Sequence, residues 1–263
     1  MGLPIAVTLD NRELWILLSL CGPGLVLGVE DPYVGWLSSE VEADGRTILQ
    51  SLIDRGLAIK VSEGEIALED NLAAILGACH HPDHSLIVQV QQAGDTQKRL
   101  FVHLTDGLAV QHSLLPDGQY QLVVVENRDE LASRLLGPLA DAKGSHSDRT
   151  FRLPEGALFH ARKLCAQGQP DQAVESILAP GLPREQALAL SRVLTGLTTS
   201  ASFVLVANRD RAETQHVRGF SVLHGADQLW MAISGEDQVG QPQVELIPAD
   251  GQMLRDRLAE LLR

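Results

Sequence analysis

The densest run of chemistry-bearing side chains is CHHPDH, Cys79 to His84. Thiolates, imidazoles and carboxylates are the usual ligands of zinc and related ions, which makes Cys79, His80, His81 and His84 the candidate metal-ligating set. The spacing speaks against a metal. No CxxC pair or HExxH helix accompanies the run, and Pro82 suits an ordinary helix-to-strand turn. Two readings stand side by side: a metal- or small-molecule-binding loop, and a solvated turn. Nucleophilic chemistry has less support. The chain has no GxSxG elbow, and the Gly-rich stretches CGPGLVLGV and HGADQ lack the spacing of phosphate-binding loops. No pattern around the carboxylates fixes a partner for any of them. The sequence offers no catalytic constellation, and a non-enzymatic role without a cofactor is expected.

Bulk properties narrow the class further. At 263 residues, 44% apolar and 21% charged, the chain can bury one large core or two smaller ones. Its net charge of −13 disfavours broad contact with nucleic acid or anionic lipid, because no surplus of Lys and Arg exists to replace counterions. No apolar run approaches the length of a membrane span. The opening MGLPIAVTLDNRELW lacks the basic start and small-residue cleavage site of a secretory signal. Cys21, Cys79 and Cys165 are an odd set with wide spacing, which fits a reducing compartment. A soluble cytoplasmic protein is expected.

The elements that would position any site repeat along the chain. VTLDNRELWILLSLC (7–21) and FRLPEGALFHARKLC (151–165) match apolar for apolar and end on the same cysteine. YQLVVVENRDELASRLLGPL (120–139) faces PQVELIPADGQMLRDRLAELLR (242–263), with Asn127 and Asp250 each placed to cap a leucine-striped helix. Strands are predicted at about 85–92, 99–105, 108–115 and 119–126, and again at about 202–208, 216–224, 227–234 and 242–247. The predicted fold is therefore α+β and internally duplicated. A central antiparallel sheet carries helices, and the halves are related by a pseudo-twofold axis. The first half is 1–139, the polar segment 140–150 is a linker, the second half is 151–263, and the halves are expected to share one core. The glycines of CGPGLVLGV are expected to end the first helix and lead into a strand.

The first half carries an insertion, about 44–78. Ile48, Leu49, Leu52 and Ile53 make one helical face, and Gly56 closes that helix. LAIKV and EIAL follow as a hairpin around Ser62-Glu63-Gly64, giving the outline of a winged helix. A winged-helix regulator is thus one alternative function, although the face RTILQSLIDRG holds only Arg46 and Arg55 as basic groups. Trp15, Phe101, Phe159, Phe203 and Phe220 fall on helix faces or strands and are read as core. Strand alternation sets Trp230 either under the helices or on an open, protein-binding sheet face.

These segments carry a resemblance. LWILLSLCGPGLVLGV resembles the N-terminal signature of the EspG family, the cytosolic chaperones of type VII (ESX) secretion. SLIDRGLA with LGACHHPDHSLIVQV, FRLPEGALF with ALALSRVLTGLTTSASFVLV, and the closing PADGQMLRDRLAELL are similar to that family's later stretches in order. The resemblance implies a duplicated α/β fold and a non-enzymatic function: holding a secretion substrate of the PE–PPE class, or a diverged client, by its hydrophobic helical tip. It also implies that the client contacts the sheet, a sheet loop and the C-terminal helical bundle. On this chain the corresponding loops are 93–98, with Gly94, Asp95, Gln97 and Lys98, and 208–215, with Arg209, Asp210 and Arg211. Trp230 joins them as a candidate contact.

Overall fold

A computed structural model describes residues 6–24, 26–62, 65–95, 97–142, 144, 150–178, 182–207 and 217–263. The fold is α+β, with a large antiparallel sheet and eight α-helices among the described residues. Two compact units divide the chain.

The first unit comprises Met1–Ile87, Arg99–Glu126 and Val206–His216. Its elements are β1 (Ala6–Leu9), α1 (Asn11–Leu20), α2 (Ser38–Asp54), β2 (Ala58–Ser62), β3 (Glu65–Leu68), α3 (Asp70–His80), the start of β4 (His84–Gln92), β5 (Lys98–Leu104), β6 (Ala109–Leu114) and β7 (Tyr120–Val124). Strand order is β1-β7-β6-β5-β4, and β2 pairs with β3 as a separate hairpin.

Helix α1 starts at a capping box: Asp10 Oδ1 accepts from the Glu13 backbone at 2.8 Å, and Glu13 Oε2 accepts from the Asp10 backbone at 3.0 Å. The predicted stop of α2 is met. Gly56 takes φ +73, while its N–H and that of Leu57 bond the Ile53 and Leu52 carbonyls at 2.9 Å each. Leu14, Leu17, Leu52, Leu72, Ile75 and Leu76 pack over Leu9, Val110 and Leu122 of the sheet.

Residues 26–36 depart from the expectation of a strand after the first helix. They form turns, because Gly28 and Gly35 adopt positive φ values of +81 and +87 that extended pairing does not allow. Gly28 lies so close to the Phe101 ring that a Cβ there would overlap it. Beneath it Phe101, His103, His112 and Tyr120 form a row of rings on one sheet face, with centroid spacings of 5.5 Å (Phe101–His112), 5.7 Å (His103–His112) and 5.3 Å (His112–Tyr120). Both imidazoles are buried.

The second unit comprises Val88–Lys98, Asn127–Leu205 and Val217–Arg263. It holds the remainder of β4, then α4 (Arg128–Leu136), a 3₁₀ turn (Gly137–Asp141), β8 (Phe151–Pro154), α5 (Glu155–Ala166), α6 (Pro170–Leu178), α7 (Arg184–Thr195), β9 (Leu197–Ala207), β10 (Val217–Gly225), β11 (Gln228–Glu236), β12 (Pro242–Pro248) and α8 (Gly251–Leu261). Strand order is β4-β9-β10-β11-β12-β8.

The compact units do not follow the predicted boundary at 139/151. Helix α4 packs with α8, and Arg128 Nη1 donates to the Leu262 carbonyl at 2.7 Å. Asn127 and Asp250 both serve as predicted, accepting from the backbone of Glu130 at 3.2 Å and of Met253 at 2.8 Å. Gly251 sits against the Ala140 carbonyl with no room for a Cβ. The β10–β11 turn places Ala226 and Asp227 at φ +49 and +58, the signs a type I′ hairpin requires.

Register fixes the two faces of this unit's strands. Ser221 pairs with Ala232, Leu223 with Trp230, Ser234 with Val244 and Ala232 with Leu246, so these side chains share one face. Helices α5, α6 and α7 bury that face through Ala161, Leu164, Cys165, Ile177, Leu190 and Val193. Met231, Ile233 and Ile247 point to the other face. No helix among the described residues is long and apolar enough to cross a membrane.

Candidate functional site

The CHHPDH run does not converge. Cys79 is buried in the first unit's core, and burial pushes its thiol well above the ordinary cysteine range. His80 Nε2 pairs with the Gly22 carbonyl at 3.1 Å and Nδ1 with His81 Nε2 at 2.9 Å, and the His80 ring fills the space over Gly24. His84 opens β4. Among the described residues no group of three or more His, Cys, Asp or Glu side chains is arranged to hold a metal ion.

Of the sheet-loop candidates, Gly94, Asp95, Gln97 and Lys98 are exposed. Lys98 pairs with Asp95 at 3.4 Å, an exposed pair of little energetic weight. Arg209, Asp210 and Arg211 lie outside the described residues. Trp230 is a correction to the open-face reading. It is 1% exposed, lies under the helices against Phe151, and is held by Nε1 donating to Gln228 Oε1 at 3.2 Å. It supports the site from beneath without being able to touch a partner.

Phe159 is the larger correction: expected in the core, it is 72% exposed. Helix geometry explains why. The inward stripe of α5 is Ala161, Leu164 and Cys165, and two residues back from Ala161 is a rotation of ~200°, onto the outer side. Leaving a phenylalanine in water forgoes about 1.5–3 kcal/mol of burial. It stands over a groove of about 540 Å³ between α5 and the covered sheet face. Leu158 and Phe159 form one wall, and Leu223, Ala232, Pro242 and Val244 the rest. Ser221 and Ser234 add hydroxyls, and Glu155 and Arg162 bring opposite charges from the same helix.

A second, polar concavity of about 240 Å³ shares Arg162, Ser221 and Leu223 with this groove. Gln89, Gln91, Gln97, Ser200 and Ser202 line it, so the sheet loop that includes Gln97 is brought to the groove's end. Gln97 Nε2 donates to Gln89 Oε1 at 3.2 Å, and Arg162 Nη2 to Ser200 Oγ at 3.1 Å. A third hollow of about 570 Å³ lies on the other sheet face under α8. Its carboxylates are already engaged: Asp250 caps α8, Asp256 accepts from Gln252, and Glu260 pairs with Arg257. The apolar groove with an uncovered aromatic wall is therefore the candidate site, and its residue types suit binding an apolar helix rather than bond-breaking chemistry.

Comparison with known proteins bears on family and fold. The profile of the EspG family matches residues 10–260. The fold is similar to that of the Mycobacterium tuberculosis type VII secretion system chaperone EspG5, solved in complex with a PE25–PPE41 dimer. The TM-score is 0.68 at 13% sequence identity, covering 98% of this chain and 95% of the other. A search of curated proteins finds no match.

Proposed function

The chain belongs to the EspG family, and we propose from that membership and the groove that it is a non-catalytic cytoplasmic chaperone which holds an apolar helical tip of a secreted client. The client is of the PE–PPE class or a relative of it. The observation that carries this reading is Phe159, 72% exposed above a groove of about 540 Å³ whose floor is apolar. A client helix inserted there covers the ring, and the net charge of −13 keeps the loaded complex in solution. Gln97 lines the polar concavity that shares Arg162, Ser221 and Leu223 with the groove.

The same reading treats the chain as a tandem copy. What supports it is the parallel strand order: β1-β7-β6-β5-β4 in one unit and β8-β12-β11-β10-β9 in the other, each beginning with a four-residue strand that leads into a helix. The client groove lies in the second copy. In the first copy Trp15 stands where Phe159 stands in the second, and it is half-buried.

Co-expression with the PE–PPE pairs of the same genome, followed by affinity purification and size-exclusion chromatography, tests the function. The wild-type chain is expected to elute with a pair, and Phe159→Ser to lose it while keeping the wild-type melting temperature. Failure of every pair to co-elute, or retention of the pair by Phe159→Ser, overturns the reading.

A further inference from the structure

The charges at the ends of the groove give it a direction. Glu155 and Arg162 both stand on α5, seven residues apart, about 10 Å along the helix axis, with Leu158 and Phe159 between them. Neither has an ion-pair partner among the described residues, whereas Arg12, Arg55, Arg152, Arg184 and Arg257 each have one. Among the described residues Arg162 is the one basic side chain lining the groove, and it is steadied by its bond to Ser200.

On the reading that this groove is the client site, we propose that the client helix lies antiparallel to α5, with an acidic first turn at Arg162 and a basic last turn at Glu155. Helices carry Asp and Glu near their N-termini and Lys and Arg near their C-termini, because these charges offset the macrodipole. Only the antiparallel orientation sets such charges opposite the groove's own. A parallel helix would bring acid to Glu155 and base to Arg162. The antiparallel arrangement also opposes the dipoles of the two helices. The groove thus selects a class of client, an apolar helix with acid first and base last, and fixes how it lies.

The probe is a capped helical peptide of about fourteen residues with a leucine stripe, two Glu in its first turn and two Lys in its last. A twin of the same composition has the charges exchanged. Binding to the ¹⁵N-labelled full chain is followed by NMR at low salt, with a nitroxide on the peptide's N-terminus. The acid-first peptide is expected to bind about threefold to tenfold more tightly, as two exposed ion pairs allow, and its label to broaden Ser200 and Ser202 rather than Gly156. Because exchanging charges also lowers the twin's helicity, the deciding variant is the double substitution Glu155→Arg with Arg162→Glu, which must invert the preference. Equal affinities that depend on Phe159, no inversion, or broadening at Gly156 overturns the orientation and leaves the groove as the client site. Loss of binding by both peptides, or binding that persists in Phe159→Ser, overturns the groove and the orientation together.

Discussion

Acidification is expected to destabilise the first unit through its two buried imidazoles. His103 and His112 are 0% and 1% exposed, and His103 Nε2 and His112 Nδ1 have no hydrogen-bond partner. Ser85 Oγ meets His103 Nδ1 at 3.2 Å, a bond that neutral imidazole satisfies. Burial lowers His103 to about 3, helped by the neighbouring His112, and lowers His112 to about 4 by burial alone. A depressed pKa on a base means that the unfolded chain binds more protons than the folded one. Stability is therefore intact above an unfolded pKa of about 6.5 and falls as pH drops through 6 and 5. Each group costs about 1.4 kcal/mol per pH unit below that point, or ~2 kcal/mol between pH 7 and 5. Over that interval the pair together reaches about 4 kcal/mol, a large share of a typical 5–15 kcal/mol. Urea denaturation at pH 7, 6 and 5 measures this directly, and His103→Leu with His112→Leu should flatten the slope. A wild-type midpoint that does not move between pH 7 and 5, or a double variant that keeps the wild-type slope, refutes the reasoning. So do Cε1–H signals of His103 and His112 that titrate near pH 6.5 in the folded chain.

Three further outcomes follow from local geometry. Ala226→Gly relieves a non-glycine residue at φ +49 and should raise stability by about 1 kcal/mol, read as a melting-temperature rise of a few degrees. Gly251→Val drives a side chain into the Ala140 carbonyl and should cost ~2 kcal/mol or more, with the loss visible in the urea midpoint. Cys79 and Cys165 are buried and burial raises the Cys79 and half-buried Cys21 thiols, so Ellman's reagent should react slowly with the native chain and promptly with three thiols in denaturant.

Much of the strand pattern was legible because period-two alternation and turn residues coincide: β5 runs from Lys98 to Leu104 against a predicted 99–105, and β12 from Pro242 to Pro248 against 242–247. The caps at Asn127 and Asp250 were legible for the same local reason. Strand β9 begins at Leu197, earlier than its apolar run, because LTTSAS pairs outward: the Ala93 backbone bonds the Thr198 carbonyl at 2.8 Å. That partner is remote in sequence, so polar residues read as a turn. Phe159 was missed for a different reason. Its aromatic character and its alignment with Trp15 suggested core, while the stripe of Ala161, Leu164 and Cys165 already excluded it from the inner face. The chemistry of the groove needed tertiary structure. Leu158 and Arg162 are local to α5, but the floor comes from β10, β11 and β12, which only register brings beneath them.

The outermost strand of each unit is four residues long, β1 at one margin and β8 at the other, and β8 ends on Pro154, which has no N–H to offer. Such stubs give a stray chain too few rungs to extend into a fibril, and Arg152 in an ion pair with Glu245 sets charge beside the second margin. Neither margin offers a long, flat run of free backbone groups. Blunt margins of this kind let many copies share one solution without stacking edge to edge.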